Sequence, residues 1–135
     1  MYITSETDYA VRIVDALARN EGRMDAKAIA DKACVTLRFS LKILRKLVAS
    51  GIIRSFKGSL GGYEIARPLH EITIFDVINI IEGPIVINRC LLERHGCTRL
   101  PDKKCPYHDM FEQITSHIHA QLASVSFEDV ISLSN

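Results

Sequence analysis

The sequence predicts a mainly α-helical protein that carries one small β-hairpin. Three observations support this fold class. Apolar residues recur at helical spacing in four separate stretches, two short runs of β-prone residues flank a glycine-rich loop, and 135 residues are enough for one hydrophobic core but not for two. Residues 1–135 are therefore expected to form a single domain.

Two helices are predicted before residue 34. The first covers residues 5–19 with Ser5 as its cap, and a shorter one covers residues 26–32 after Asp25. Cys34 lies alone in the turn that follows. A lone cysteine most often packs as a small hydrophobic side chain, so Cys34 is expected to be buried.

A third helix is predicted from Thr36, its cap, to Ser50, because Gly51 is a typical helix terminator. Its apolar stripe consists of Leu37, Leu41, Leu44, Leu47 and Val48. A second, basic set follows the same spacing one position further round the helix: Arg38, Lys42 and Arg45. The helix is thus expected to turn one face to a core and the adjacent face to a negatively charged partner.

A β-hairpin is predicted next, formed by the runs 52–55 and 63–66 around a loop, 56–62, that contains three glycines. Helix, turn, helix and hairpin in this order are typical of a winged helix-turn-helix, which is assigned to residues 1–68. In such folds the second helix of the pair enters the DNA major groove, and the hairpin reaches the neighbouring backbone or minor groove.

The charge distribution supports a polyanionic partner. Residues 1–67 hold 12 Lys and Arg against 7 Asp and Glu, whereas residues 68–135 hold 5 against 9. Between residues 32 and 67 there are 8 basic residues and a single acid, Glu64. Short basic runs are often no more than a solvated surface, but here the charge coincides with the winged helix-turn-helix pattern.

Double-stranded DNA is therefore the expected partner. Arg38 and Lys42 are the expected readers of base edges or phosphates, since arginine can pair with guanine through two hydrogen bonds. Arg54 is a further candidate, although it is equally suited to an ion pair with Glu64. The full set of candidate DNA-contacting residues is Thr36, Arg38, Lys42, Arg45, Arg54, Lys57 and Ser59.

The second half is divided into a connecting helix within residues 69–87, a cysteine-rich loop at 88–109, a long helix at 106–125 and a short terminal helix at 126–135. The terminal helix is expected to begin with a capping box, Ser126 to Asp129. The long helix carries a regular apolar stripe that predicts packing against a second copy in a homodimer: Tyr107, Phe111, Ile114, Ile118, Leu122 and Val125.

The cysteine-rich loop predicts a metal centre. Cys90, Cys97 and Cys105 are followed closely by His108, and three thiolates with one imidazole are the ligands that an iron–sulfur cluster or a zinc ion needs. Zinc is disfavoured because no short C-x2-4-C pair is present, and redox-active thiols without metal are the other alternative.

Other classes of protein are less well supported. No apolar run approaches the roughly 20 residues that span a bilayer, and no secretion signal precedes the cysteines, so a cytoplasmic protein without membrane segments or disulfides is expected. An enzyme that uses Cys105 as nucleophile and His108 as base is disfavoured because no oxyanion or substrate-binding element accompanies them, so no enzymatic activity is expected.

Several motifs together resemble one protein family. They are Asp8-Tyr-Ala-Val-Arg12, Ala28-Ile-Ala30, the wing 58–67 (GSLGGYEIAR), Ile72-Thr-Ile-Phe-Asp-Val-Ile78, Ile81-Glu-Gly83 and the cysteine loop. The chain resembles, over nearly its whole length, the Rrf-two family of bacterial winged-helix regulators, particularly its IscR-, NsrR- and RirA-like members. The resemblance implies a homodimeric transcription regulator, with repression the expected mode, whose iron–sulfur cluster controls binding to an inverted-repeat operator. The same scaffold without a cluster, sensing through cysteine oxidation or a partner protein, is the alternative.

The resemblance also implies a ligand set. Cys90, Cys97 and Cys105 lie where such regulators place their cluster cysteines, and His108 matches the histidine of IscR-like members. Asp8 is the alternative fourth ligand, since NsrR-like members supply a carboxylate from this position across the dimer. A [2Fe–2S] cluster is favoured if His108 is a ligand, and a [4Fe–4S] cluster is the other form. The gaps between the cysteines, six and seven residues, differ from the family's more usual five and five.

Overall fold

The computed structural model describes residues 2–92, 97–99 and 104–134. Six α-helices and a two-stranded antiparallel sheet make up the described chain, with two short 3-10 turns at Leu69–Glu71 and Arg89–Leu91. The predicted fold class, mainly α with one hairpin, is confirmed. The elements in order are α1 (Ser5–Ala18), α2 (Ala26–Ala33), α3 (Leu37–Ser50), β1 (Ile53–Phe56), β2 (Gly62–Ile65), α4 (Ile74–Glu82), α5 (Pro106–Ala123) and α6 (Phe127–Leu133).

Capping residues set the limits of the first three helices. Asp25 accepts a hydrogen bond from the backbone of Ala28 and begins α2, and Thr36 caps α3 in the same way. Gly51, with φ of 86°, ends α3. These predictions are confirmed. The predicted cap of α1 is wrong: Thr4, one residue before Ser5, accepts the hydrogen bond from Thr7.

The prediction that Cys34 is buried is also wrong. Cys34 ends α2 with φ of 56°, the left-handed conformation, and its side chain is exposed. The backbone N–H of the next residue, Val35, donates to the carbonyl of Ala30, the bond that closes a helix end of this type. The backbone conformation of the helix-ending turn therefore determines where the Cys34 side chain points, and the apolar character of the thiol does not.

The core lies where α1, α2, α3, α4 and α6 meet under the hairpin. Its fully buried large side chains come from every one of these elements and from the segments at residues 52–53 and 72: Phe127, Ile13, Leu17, Ile29, Ile43, Leu44, Leu47, Ile52, Ile53, Ile72, Val14 and Val77. Burying side chains of this size stabilises the fold by about 1.5–3 kcal/mol each. This single core holds the helix-turn-helix and the hairpin in one rigid unit.

The buried face of α3 is rotated relative to the predicted stripe. Ser40, Ile43, Leu44 and Leu47 are buried, whereas Leu37 is 45% exposed. Leu37 begins α3 at the edge of the core, where its side chain is only partly covered. Leu37 consequently belongs to the outer surface of the helix.

The hairpin is extended by a segment that precedes α2. Ile53 pairs with Ile65 and Phe56 pairs with Gly62, and Tyr63 also exchanges two backbone hydrogen bonds with Met24. A Cβ atom on Gly62 would lie 2.6 Å from the carbonyl oxygen of Met24, and the φ of Gly62 is 136°. Glycine at this position therefore allows the wing to pack against the segment before α2.

We expect Gly62→Ala to lower the free energy of unfolding by about 1–3 kcal/mol, because it combines an unfavourable φ with a backbone clash. Gly58→Ala is the matched control: Gly58 also has a positive φ, 93°, but a Cβ atom at this position would have no neighbour within 4 Å. Urea unfolding followed by circular dichroism measures both. Equal losses of stability in the two variants would show that the Met24 contact is not what makes Gly62 necessary.

The C-terminal segment closes the fold. Thr73, the cap of α4, forms an antiparallel bridge with Ser126, the cap of α6, and the N–H of Phe127 donates to the carbonyl of Ile72. The capping box predicted from Ser126 to Asp129 is confirmed. The bridge delivers the ring of Phe127 to the centre of the core, where it is 1% exposed.

Helix α5 has little packing of its own within the protomer. The ring of His119 packs edge-on against Phe75 of α4 and hydrogen-bonds the carbonyl of Ile85, while Thr115 accepts a hydrogen bond from the N–H of Ile87. Thr115 is the one buried residue among the 18 of this fully described helix. Tyr107 and Ile114 of the predicted stripe are exposed, at 55% and 41%. Within residues 2–92, 97–99 and 104–134, no helix has the length and apolar character required to cross a membrane.

Candidate nucleic-acid interface and metal centre

The outer surface of α3 combines cations with apolar side chains. Arg38, Lys42 and Arg45 are all exposed and line one surface groove with Leu37, Phe39 and Leu41. Thr36 is exposed at the end of the same helix, but its hydroxyl accepts the hydrogen bond of the Phe39 N–H. A surface of this kind can pair its cations with phosphates or guanine edges and its apolar groups with thymine methyl groups.

An acidic residue that the sequence alone does not single out, Glu6 of α1, forms ion pairs with two lysines of α3. The carboxylate of Glu6 in α1 lies 2.8 Å from Nζ of Lys46 and 3.6 Å from Nζ of Lys42. The hydrogen bond from Lys46 lowers the pKa of Glu6, so the carboxylate stays charged near neutral pH. Glu6 therefore neutralises part of the positive charge on the outer surface of α3.

The wing presents its predicted residues to solvent. Lys57 and Ser59 are exposed in the turn between β1 and β2. Arg54 forms the ion pair with Glu64 that was one of its two predicted roles, at 3.0 Å, yet its side chain remains more than half exposed. The ion pair leaves the guanidinium accessible to a phosphate, so both roles are compatible.

A second residue missed from the sequence, Arg23, holds the wing turn. Its guanidinium stacks on the ring of Phe56, 3.4 Å from the ring centroid, and Nη1 donates to the carbonyl of Leu60 at 3.1 Å. The side chain of Leu60 is 83% exposed at the tip. An isolated arginine before α2 carries no sequence signal for this role, because its partners are more than 30 residues away.

The cysteine-rich loop begins against α5. Cys90 lies in the 3-10 turn Arg89–Leu91, which packs on α5, and its N–H donates to the side chain of Asn88 at 3.0 Å. Asn88 therefore orients the turn that carries the first predicted ligand. The side chain of Cys90 is partly exposed.

The other predicted ligands also adjoin α5. Cys105 is the residue before the first turn of this helix and makes no side-chain capping bond, so its sulfur is not used to close the helix end. His108, 22% exposed, lies in that first turn. The segment containing Cys97 is placed by Arg99, whose guanidinium lies 4.7 Å from the ring centroid of Tyr107. Two segments, those of Cys90 and Cys97, thus contact the helix that Cys105 and His108 begin, although among the described residues the metal-ligating atoms grouped within 4.8 Å are those of His108, Asp109 and Glu112 and include no cysteine.

The alternative ligand, Asp8, belongs to α1 and not to the cysteine-rich loop. Asp8, the alternative ligand, forms a surface ion pair of 2.7 Å with Arg12 on α1. Within this protomer Asp8 is thus engaged with its own helix. His95, a loop histidine between Cys90 and Cys97, lies outside the described residues.

The donor set fits an iron–sulfur cluster. All four cysteines belong to the described part of the chain and are thiols rather than disulfides, and the three loop cysteines are partly exposed. Negative charge at Cys105 would be stabilised by the amino end of α5. Three soft sulfur donors and one imidazole match the ligands that iron–sulfur clusters use, including those in which histidine replaces cysteine. Cys90, Cys97, Cys105 and His108 are the residues that would hold such a group.

Comparison with known proteins shows which family has this architecture. The family described as "Rrf2: Iron-dependent Transcriptional regulator" matches residues 3–133, almost the whole chain. The chain belongs to the Rrf2 family. The resemblance seen in the motifs is thereby confirmed, and with it the assignment of this Rrf2 protein as a DNA-binding transcription regulator with a winged-helix fold.

Individual Rrf2 relatives agree with this assignment. The HTH-type transcriptional regulator IscR of Photorhabdus laumondii is 27% identical over 97% of this chain and 79% of its own length. A protein of Aquifex aeolicus (strain VF5) named "Putative HTH-type transcriptional regulator" is 28% identical over 98% of this chain and 93% of its own length. The structure of CymR, the global cysteine regulator of B. subtilis, superposes with a TM-score of 0.79 over 100% of this chain and 99% of that one, at 24% identity.

Proposed function

We propose that this Rrf2 protein is a homodimeric repressor whose operator binding is controlled by an iron–sulfur cluster. The cluster is held by Cys90, Cys97, Cys105 and His108. One observation carries the proposal: Cys90, Cys105 and His108 adjoin a single helix, α5, in a protein whose other half is a basic winged helix, and the segment of Cys97 contacts the same helix through Arg99. When bound, the cluster supplies a centre that is sensitive to oxidants and to the supply of iron and sulfide.

The dimer is supported by the apolar side of α5. Tyr107, Met110 and Ile114 are each more than two-fifths exposed in the described chain. An amphipathic helix of 18 residues with this pattern is suited to pack against its own copy about a twofold axis. The twofold would present two α3 helices to an inverted repeat whose half-sites lie about 34 Å apart, or a multiple of that distance.

The path between the two sites runs through packed helices. Cys105 and His108 lie at the amino end of α5, and His119 further along the helix contacts Phe75 of α4. Helix α4 packs on both α1 and α3. A change in how the loop holds α5 would shift α4 and, through it, the angle between the recognition helices of the dimer.

The proposal is tested by anaerobic purification of the full chain followed by iron and sulfide analysis, visible spectroscopy and operator-binding assays. We expect a coloured protein with iron and acid-labile sulfide, and operator affinity that differs at least several-fold between the loaded and the cluster-free protein. A colourless protein that binds its operator with unchanged affinity after attempted reconstitution would contradict cluster control.

Sensing through the thiols alone is the second candidate. It is supported by the partial exposure of the three loop thiols, Cys90, Cys97 and Cys105. In that case mild oxidants change operator affinity in protein that contains no iron, and dithiothreitol reverses the change.

The DNA-binding surface yields a further prediction. We expect Lys57→Ala to weaken binding to the same degree on all sequences and to reduce the slope of log affinity against log salt by about 0.9, since an exposed lysine at the wing tip is placed to neutralise one phosphate. Lys42→Ala should weaken operator binding as well. Glu6→Gln should strengthen it, because the variant releases Lys42 and Lys46 from a neutralising carboxylate.

Fluorescence anisotropy at several salt concentrations measures these effects. Lys104→Ala is the matched control, since it removes one exposed lysine from outside the winged helix. If Lys57→Ala and Lys42→Ala bind as tightly as Lys104→Ala at moderate salt, this docking of α3 and the wing is wrong.

A further inference from the structure

Three side chains of types that ligate metals converge on the first two turns of α5. A ring nitrogen of His108 and carboxylate oxygens of Asp109 and Glu112 all lie within 4.8 Å of one another. His108 and Glu112 are four residues apart, so they project from the same face of the helix. We propose that His108, Asp109 and Glu112 form a mononuclear site for a first-row divalent cation of the Zn²⁺ type, distinct from the set of three cysteines.

The chemistry of the three donors selects the class of cation. An imidazole favours Zn²⁺, Fe²⁺ and their neighbours over Mg²⁺ and Ca²⁺, which prefer oxygen ligands alone. The two carboxylates of Asp109 and Glu112 neutralise a charge of +2. Three protein ligands leave a fourth position of a tetrahedral ion open to water or to a further donor.

The geometry needs only small changes. Ligand atoms bound at about 2.0–2.2 Å to one tetrahedral ion lie roughly 3.3–3.6 Å apart. Nδ1 of His108 is already 3.9 Å from Oδ1 of Asp109. Rotations of exposed side chains, chiefly that of Glu112, close the remaining separation without movement of the helix backbone.

The ammonium group of Lys104 already forms an ion pair with one of the three proposed ligands, Asp109. Nζ of Lys104 lies 3.4 Å from Oδ2 of Asp109, and the lysine side chain is 85% exposed. An ion pair of this exposure contributes little, so a divalent ion displaces the ammonium group readily. His108 is by contrast mostly buried, at 22% exposure, which shields one side of the site from water.

The cation site and the proposed cluster compete for His108. A cation bound by Asp109 and Glu112 fixes the ring of His108 on their side, so cation binding restricts its rotation toward the cysteines and slows cluster loading. This regulatory consequence rests on the proposed function, whereas cation binding itself does not.

The experiment uses the full chain after anaerobic treatment with a chelator, and Co²⁺ as a spectroscopic probe. A variant with Cys90→Ser, Cys97→Ser and Cys105→Ser removes every loop thiol and cannot hold a cluster. We expect it to bind one Co²⁺ per monomer with visible d–d bands and without thiolate charge-transfer bands, and Zn²⁺ to displace the Co²⁺.

Single changes then assign the ligands. His108→Ala and Glu112→Gln should each weaken Co²⁺ binding by more than about tenfold, since losing even an indirect partner of a metal ligand costs 10–100-fold. His117→Ala, an exposed histidine of the same helix, is the control and should bind as the parent does. Because Glu112 is exposed, its conservative variant should fold normally, which circular dichroism checks.

The outcomes separate this proposal from the cluster proposal. Glu112→Gln in the otherwise unchanged chain should load a cluster as well as the parent does, while losing cation affinity. Unchanged Co²⁺ affinity in Glu112→Gln, absence of binding in the triple-serine variant, or charge-transfer bands that disappear with the cysteines would each overturn the cation site. A colourless, iron-free parent protein would contradict the cluster and leave the expected Co²⁺ result standing.

Discussion

Cys90→Ala, Cys97→Ala and Cys105→Ala should each abolish stable cluster incorporation. A thiolate ligand contributes a negative charge and an iron–sulfur bond that alanine cannot replace. Loss of the neutral imidazole is milder, so His108→Ala should give a shifted spectrum and a labile cluster. Iron per monomer and the visible spectrum after anaerobic reconstitution measure all four variants.

The fourth cysteine provides the matched control. Cys34 is the exposed thiol at the end of α2, outside the loop and away from α5, so Cys34→Ala should keep full iron content. Asp8→Ala tests the alternative ligand: it leaves a histidine-ligated cluster intact and destabilises one completed by a carboxylate from a partner subunit. Full iron with an unaltered spectrum in any of the three loop-cysteine variants would refute the proposed ligand set.

Replacing Ile114 and Ile118 together with glutamate should convert the proposed dimer into monomers. The change places four carboxylates per dimer in a surface that must lose its water when α5 packs on its copy. Because Ile114 is 41% exposed and Ile118 is only partly buried in the protomer, the monomer itself should remain folded. Sedimentation velocity at micromolar concentration measures the association state.

Gln113→Glu with Ser116→Glu is the control for this experiment, since both positions are exposed on the same helix and receive the same charge. The control should stay dimeric. A dimer that persists in the Ile114 and Ile118 variant would mean that another surface holds the two copies together.

Local chemistry explains the parts of the fold that the sequence predicts well. Asp25 and Thr36 begin α2 and α3, Gly51 ends α3, and Ser126 with Asp129 begins α6, each through a bond to a residue within a few positions. Such bonds form in the same way in nearly any surroundings, so residue type and spacing suffice to predict them.

The sequence-based predictions fail where residues distant along the chain determine the local structure. Thr4 and Ser5 are equally good caps by residue type, and the carboxylate of Glu82, 78 residues away, accepts the N–H of Thr4 at 2.6 Å. The exposure of Leu37 depends on how far α3 extends past the core, which no local pattern reports. The same limit hid the contact between Glu6 and Lys46, which are 40 residues apart.

The candidate site contains residues that local spacing indicates and residues that only the folded structure brings into contact. Residue type and spacing point to the cysteines and His108 as candidate ligands, and the spacing also contains a signal for Glu112, four residues after His108 on a predicted helix. That signal is weak in the sequence, because the neighbouring thiols already supply enough donors for a metal centre. The role of Arg23 in holding the wing, by contrast, follows only from the folded position of Phe56 and Leu60.

The buried position of Phe127 has a consequence for how the protein is made. Its ring completes a core whose other members begin at Ala10, and Arg19 donates to Ser134 across 115 residues. A nascent chain emerging from the ribosome carries the whole DNA-binding half long before Phe127 is synthesised. Contacts this distant along the chain are slow to form, so the winged helix should acquire its final stability only after Phe127 has been synthesised.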